Sequence, residues 1–328
     1  MTSQRSRRLP LLSAVLSVLA FALTPAAHAQ GAYPNRPIRL VVGFAAGAIN
    51  DLTVRALTPG LNDLLGQPVF VDNRGGAGGL IAAEMVARAQ PDGYTLLLAP
   101  TSTMAINPAV YHKLSYDPRR DFEAVSLMGS TALYLTVNAN LPVKTLAELL
   151  AHARANPDKA NYGAMAAGFQ VITAALQDRT KTKFETIQFK STAETMASLL
   201  NGQIMIAYQD LNSLMPQLRQ GKVRAIATTG SKRQADLPDV PTLGELGYPD
   251  LFIDAIIGIV VPRGTPTEIV RKLEAAFQAV VKRPDVVERW KTLGLAPIGS
   301  TAAEYKVIID SEAERWAKLA KDANIRLD

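Results

Sequence analysis

The 328-residue chain contains no cysteine, which excludes a disulfide framework, a thiolate nucleophile and a cysteine-ligated iron–sulfur cluster. Histidine is nearly as scarce. His112 lies in a Tyr-His-Lys-Leu segment and His152 in an Ala-rich helix, and neither is followed by the glutamate of a zinc-protease helix. No Gly-x-Ser-x-Gly elbow occurs, and no serine has lysine three residues later. No loop ends in Gly-Lys-Ser/Thr, and Gly43 and Gly47 lack the dinucleotide spacing, so the usual nucleotide signatures are missing as well. Short-period repeats and low-complexity tracts are absent. The sequence thus offers no catalytic set, metal cluster or resident cofactor, and a hydrolase or lyase is the function it supports least.

Long apolar runs are also rare. Arg5, Arg7 and Arg8 precede the run Leu9 to Leu23, and Ala27-His28-Ala29 then places small residues where a signal peptidase reads them. This reads as a secretory leader over 1–29, too short and wrongly flanked for a transmembrane span, with cleavage after Ala29 and export to the periplasm. With no cysteine after that point there is no lipoprotein anchor, and no later stretch is long and apolar enough to cross a bilayer. A chain without staples in an oxidising compartment must rely on a large core, and this length suits two lobes. The net charge is +6, half of it from the three leader arginines. The residual basic bias suits a small anionic ligand or a nearby anionic surface and gives no support to nucleic-acid binding.

What is present is a regular alternation. A strand over Ile38 to Val42, a helix over Asp51 to Leu65, a strand over Val69 to Val71, a helix over Leu80 to Ala89 and a strand over Thr95 to Ala99 predict βαβ units and a parallel sheet. Pro59 should kink or break the first helix. The pattern starts again with a strand at Leu133 to Val137, a Thr-capped helix from Thr145 to Asn156, and a strand end at Asn161 to Gly163. Ser191 with Glu194 reads as a capping box, and strands follow at Ile204 to Ala207 and Ala225 to Thr228. After the apolar run Ile253 to Val261 the chain is helical. Thr265 is expected to cap a helix that begins at Pro266 and runs to about Lys282, Pro284 to open another that Gly294 ends, and Thr301 with Glu304 to open the last. Tyr305, Ile308, Ile309, Trp316 and Leu319 share one face of that last helix, expected to pack on the first lobe.

The sharpest local signal is Ile38 to Asp51, an apolar strand emptying through small residues into a helix start, where bare N–H groups favour an anion. Six loops belong at strand ends facing one cleft: Gly43 to Asn50, Asn73 to Gly79, Pro100 to Asn107, Ala164 to Gln170, Lys190 to Thr192 and Gln209 to Ser213. Their glycines allow close backbone approach, and hydroxyls such as Ser102, Thr103, Ser191 and Thr192 can donate to a carboxylate. Each also has a structural reading. Asp51 and Asp210 read first as helix N-caps, Arg74 as half of a surface ion pair, Lys190 as a solvated charge, and Ser102, Thr103 and Thr192 as caps.

An ordered set of strings then resembles a known family. Tyr33-Pro34-Asn35-Arg36-Pro37-Ile38, Leu65-Gly66-Gln67-Pro68-Val69, Asp72-Asn73-Arg74-Gly75-Gly76-Ala77-Gly78-Gly79 and Pro91-Asp92-Gly93-Tyr94 are followed by Ile106-Asn107-Pro108, Tyr116-Asp117-Pro118, Leu199-Leu200-Asn201-Gly202-Gln203 and Leu237-Pro238-Asp239-Val240-Pro241-Thr242. Together they resemble the Bug receptors of tripartite tricarboxylate transporters over nearly all of the chain beyond the leader. The resemblance implies an α/β periplasmic-binding-protein fold of the type II-like, Venus-flytrap kind, each lobe a mainly parallel sheet flanked by helices. Lobe 1 is expected over 30–131 and 251–328, and lobe 2 over 132–250. It further implies a monomer without cofactor that binds a small organic carboxylate and delivers it to large and small integral permease subunits. A co-receptor that hands its ligand state to a membrane sensor kinase is the alternative.

Carried onto this chain, the resemblance places ligand contacts at Phe44, Gly47 and Asp51 of the first loop, Ser102 and Thr103 of the third, and Gly168, Thr192 and Asp210 of the second lobe; Ala48, Phe169 and Gln170 of the same loops complete the candidate set. Two departures bear on specificity. Where the family has close to Pro-Phe-Pro-Pro-Gly-Gly, this chain has Gly43-Phe44-Ala45-Ala46-Gly47-Ala48, and its second-lobe loop is Ala164-Met165-Ala166-Ala167-Gly168-Phe169-Gln170. Rigid or polar groups have become apolar, which predicts a ligand whose far part is less polar than citrate, such as an aliphatic or aromatic mono- or dicarboxylate.

Overall fold

Ile38, Leu40, Val41 and Val42 are all fully buried, and so are Leu96, Leu97, Leu98 and Ala99. Strands apolar on both faces belong inside a sheet that helices cover on each side. The computed structural model describes residues 33–327; the leader and its cleavage site fall outside the described residues. From Arg36 onward the chain forms one compact unit.

The chain begins with β1 (Ile38–Val42), α1 (Ile49–Leu65), β2 (Val69–Asn73), α2 (Leu80–Ala87), β3 (Thr95–Pro100), the short α3 (Asn107–Val110) and the long β4 (Phe122–Ala132). It continues through β5 (Tyr134–Asn138), α4 (Leu146–Ala155), β6 (Asn161–Ala164), α5 (Ala167–Thr180), β7 (Glu185–Gln188), α6 (Thr192–Leu200), β8 (Ile206–Gln209), α7 (Leu211–Arg219) and β9 (Val223–Thr228). The last part is β10 (Asp254–Pro262), α8 (Thr267–Val280), α9 (Pro284–Thr292), β11 (Ala296–Pro297) and α10 (Ala302–Asp322). The strands form two sheets, ordered β11-β4-β10-β3-β1-β2 and β7-β6-β8-β5-β9.

The parallel pairs the alternation predicts are present, β1 with β2 and β3 and β6 with β8, and β6 also pairs in parallel with β7, a strand the alternation does not predict. Both sheets are nevertheless mixed. β10 runs antiparallel between β3 and β4, and β5 runs antiparallel between β8 and β9. These added strands are the ones through which the chain passes from one sheet to the other and back. Thr229, fully buried, clasps the two passages. Its N–H donates to Leu133 O (2.8 Å), its hydroxyl accepts from Leu133 N (3.0 Å) and donates to Ile253 O (3.1 Å), and its carbonyl accepts from Ile253 N (2.7 Å).

Three local expectations need correction. Pro59 neither breaks nor ends α1, which continues to Leu65. The carbonyl that proline leaves without a backbone donor, Arg55 O, accepts from the Thr58 hydroxyl at 3.1 Å instead, which offsets the lost hydrogen bond. Thr265 does not cap α8: its hydroxyl turns back to Pro262 O (2.7 Å), Pro266 holds the cap position, and the helix starts at Thr267. The last helix serves both sheets rather than the first alone. Tyr305 and Ile309 lie in the cluster around Leu97 and Val260, whereas Trp316 and Leu319 lie in the cluster around Leu135, Tyr162 and Tyr208. Thr301 and Glu304 do form the expected reciprocal box at its start.

The Thr229 clasp yields a test. A Thr229→Val substitution keeps the volume but leaves Leu133 N–H and Ile253 O without their hydroxyl partner, so it should destabilise the fold by about 2–4 kcal/mol. Urea denaturation should show a lower midpoint with an unchanged slope; an unchanged midpoint would remove Thr229 from this role.

Candidate ligand-binding site

Three loops at the carboxyl ends of β1, β2 and β3 converge. Gly43, the first residue after β1, lies so close to Gly79 that a Cβ on it would sit 2.8 Å from Gly79 Cα. A Cβ on Gly79 would in turn meet Thr103 Oγ1 at 2.9 Å and the Phe44 ring at 3.7 Å. Asn107 Nδ2 donates to Gly78 O (3.2 Å), joining the second loop to the π-helical turn Ser102–Ile106. Small residues recur here because backbone packs directly on backbone.

Asp51 organises the first loop from beneath. It is 1 % exposed, and its carboxylate accepts from Gly47 N (2.8 Å), Arg55 Nε (2.9 Å) and Asn73 Nδ2 (3.0 Å). The same Asn73 amide donates to Phe44 O (3.1 Å), and Arg55 reaches Asn73 Oδ1 (3.1 Å). The expectation that Asp51 is the N-cap is therefore corrected. Ala48 holds the cap position, and Asp51, in the first turn of α1, reaches back to the loop. Burial pushes the Asp51 carboxyl up, but its bonds from Arg55, Gly47 and Asn73 outweigh that and hold it below the usual carboxylate value. Gly47 has φ of 81°, a left-handed conformation that glycine adopts without strain.

The second sheet approaches through α5. A Cβ on Gly168 would lie 2.9 Å from Ile106 Cδ1 and 3.6 Å from the Trp316 ring, so the first turn of α5 abuts the Ser102–Ile106 turn with no room for a side chain. Phe169 faces inward and stacks on Tyr208, with ring centres 5.2 Å apart and planes 13° from parallel. Gln170 is half-buried. Neither α1 nor α5 carries a side-chain cap: the cap residues are Ala48 and Ala166. By contrast α4, α6, α7 and α10 are capped by Thr145, Ser191, Asp210 and Thr301. The helix starts that meet the converging loops, those of α1, α2 and α5, are thus left with first-turn N–H groups that no cap side chain occupies, as are those of α8 and α9.

The candidate residues separate accordingly. Phe44, Gly47, Ala48, Asp51, Ser102, Thr103 and Gly168 belong to one connected set of loops, with Phe169 and Gln170 in the turn beyond. Thr103 is 1 % exposed, while Ser102 is half-buried; neither is a helix cap. Thr192 and Asp210 stand at the starts of α6 and α7. Thr192 is the first helical residue, and the capping role expected of it falls to Ser191. Asp210 is the N-cap of α7, accepting from Ser213 N (2.9 Å) and Ser213 Oγ (3.1 Å). Arg74 pairs with Asp72, and Lys190 is exposed. Among residues the sequence reading did not single out, Asn73 and Arg55 complete the Asp51 network. The spacing of Asp51 and Arg55, one helical turn apart, is a signal that could have found the pair.

Among the described residues, no group of three or more His, Asp or Glu is placed to hold a metal ion, and no helix is long and apolar enough to cross a membrane. A hollow of about 410 Å³ lies on another side of the Ser102–Ile106 turn, lined by Met104, Tyr116, Arg119 and Glu314 among others and by none of the candidate residues.

Two mixed sheets joined by crossing strands, with glycine-rich strand-end loops meeting at bare helix starts, define a binding protein of the periplasmic α/β class. The family model described as "Tripartite tricarboxylate transporter family receptor" matches residues 53–325, and the chain belongs to that family. It is 31 % identical to the Bordetella pertussis protein BugT over 320 residues, 97 % of this chain and 98 % of BugT. Among solved structures it is similar to an adipate-bound protein of R. palustris, with 31 % identity, a TM-score of 0.81, and coverage of 90 % of this chain and 99 % of that one. MatC of Rhodopseudomonas palustris with bound malate is 32 % identical, with a TM-score of 0.77 and coverage of 88 % and 99 %.

The Asp51 network makes a pH prediction. A carboxylate whose folded pKa is lowered adds stability above its unfolded value of about 3.9, and that stability is lost as pH falls through the folded pKa. Asp51→Asn should therefore be less stable than the parent by about 1 kcal/mol near neutral pH, with Arg55 half exposed and partly screened, and the gap should close in acid. Denaturation at pH 7 and at pH 3 checks this; a gap that stays constant with pH would contradict it.

Proposed function

We propose that this chain is a periplasmic receptor that closes two lobes, 30–131 with 251–328 and 132–250, on one organic carboxylate or dicarboxylate. It holds the ligand chemically intact, acts as a monomer and delivers the ligand to the large and small permease subunits of a tripartite transporter. The observation that carries this reading is the pair of uncapped helix starts at Ala48 and Ala166, reached from loops that touch through Gly79, Thr103, Ile106 and Gly168. Helix N-termini favour anions through both their free N–H groups and their dipole. Phe44, Gly47, Ala48, Ser102, Thr103, Gly168, Phe169 and Gln170 are the proposed surroundings of the ligand, with Thr192 and Asp210 at the starts of α6 and α7 completing the candidate set and Asp51 setting the first loop.

Exposed Ala45, Ala46 and Ala166 offer no polar side chain, so the remainder of the ligand is less polar than citrate. The adipate and malate bound by the two R. palustris relatives are of that kind. Ligand binding energy shifts the chain to the closed form, which the permease then recognises.

A thermal-shift and calorimetry panel of adipate, L-malate, succinate and citrate tests this. At a concentration one hundred times its Kd a bound dicarboxylate should stabilise the protein by about 2.7 kcal/mol. Stabilisation by linear dicarboxylates with a weaker response to citrate is expected; stabilisation by citrate-like tricarboxylates alone would overturn the reading.

A further inference from the structure

Glu312, Arg315 and Trp316 share one face of α10, three and four positions apart. The Arg315 guanidinium donates to both Glu312 carboxylate oxygens, Nε to Oε1 (3.0 Å) and Nη2 to Oε2 (2.6 Å), and the Trp316 indole N–H donates to the same Oε2 (3.0 Å). The guanidinium carbon also stands 3.9 Å from the centre of the Phe252 ring and 5.0 Å from that of Trp316. Both charged side chains are largely withdrawn from water, Arg315 at 18 % and Glu312 at 13 % exposure. A two-pronged, ring-stacked pair of this kind is directional, and it fixes the indole as well as the charges.

That geometry fastens two parts of the chain. Arg315 Nη1 donates to Phe252 O (2.9 Å), the carbonyl of the peptide whose N–H, on Ile253, donates to Thr229 O (2.7 Å). One peptide of the returning passage is therefore held by the Thr229 clasp through its N–H and by α10 through its carbonyl. The other end of the cluster meets α5, where a Cβ on Gly168 would lie 3.6 Å from Trp316 Cη2. Trp316 is fully buried, and α10 packs against both α5 and the Ser102–Ile106 turn, the proposed ligand elements that follow β6 and β3. The chain has two tryptophans, and the other, Trp290, donates its indole N–H to Thr53 O of α1 (3.2 Å). Each of the two helices proposed to receive the anion thus touches one of them.

We propose that Arg315 and Trp316 are positioning residues for the carboxylate grip: they set the first turn of α5 against the passage between the sheets and do not themselves touch the ligand. This rests on the carboxylate reading above. A backbone N–H is a directional donor, so a displacement of about 0.5 Å at the start of α5 weakens its bond to an anion. Because that helix start meets the anionic end shared by every ligand of the class, disturbing the cluster weakens all of them by one factor. A residue that touched the remote part of the ligand would instead change the preference for one acid over another.

Calorimetry with adipate, L-malate and succinate on the mature chain, far below its melting temperature, reads the affinity of the folded protein. Trp316→Phe, which withdraws the ring edge from Gly168 and the N–H from Glu312, and Arg315→Met, which leaves Phe252 O without its donor, should each raise all three Kd values by about three- to tenfold. A residue that only stabilises the fold would lower the melting temperature and leave these affinities where they are. Trp290→Phe makes Trp316 the sole tryptophan, and its emission should change on titration with the same acids, at the calorimetric midpoint. Should Arg315→Met fail to fold, Trp316→Phe and the emission titration decide the matter. Unchanged Kd values in Trp316→Phe, a loss confined to one acid, or emission indifferent to a bound acid would overturn the positioning role and leave the receptor reading standing. Failure of every dicarboxylate to bind the folded parent would overturn both.

Discussion

The fold depends on one buried hydroxyl amino acid placed where the chain crosses between its two sheets. Thr229 joins Leu133 on the outward passage to Ile253 on the return, using its N–H, carbonyl and hydroxyl together. Nearby, the Thr101 hydroxyl accepts from Ile256 N at 2.9 Å, so the residue that opens the third ligand loop is fixed to the returning strand β10. The crossing strands and the proposed ligand loop thus share a hydrogen-bond system.

Around that frame the chain separates holding from binding. Asp51, Arg55 and Asn73 satisfy one another and the Gly47 and Phe44 backbone. Asp210 satisfies the start of its own helix. These charged and amide groups set loop shape. In the proposed reading the backbone N–H groups at α1 and α5 are what receives a guest, and a site built from backbone would tolerate variation in the ligand's remote part while demanding an anionic end.

Much of this was legible in the residues. Strand β1 was predicted at its observed bounds, and the caps at Thr145, Ser191 and Thr301 follow from side chains only three positions from their partners. The crossing strands were not legible as antiparallel partners. Apolar runs such as Ile253 to Val261 carry no record of which strand lies alongside, and Thr101 meets its Ile256 partner across 155 positions. Pro59 misled because its compensation is a single hydroxyl one residue earlier. Thr265 misled because two backbone targets competed for its side chain. The candidate site was legible at its glycines, whose spacing marks close backbone approach. The Asp51 network was legible only in the one-turn spacing of Asp51 and Arg55; the part played by Asn73 was not, since it depends on which side chains three-dimensional packing brings together.

The central claim is that the converging loops hold a small carboxylate and leave it unchanged. Native mass spectrometry of the mature protein, purified from its own periplasm without refolding, addresses it most directly. The account predicts a one-to-one complex whose released component is an intact organic acid, identical before and after prolonged incubation with excess protein. Release of a non-acidic molecule, or conversion of the bound acid during incubation, would contradict it.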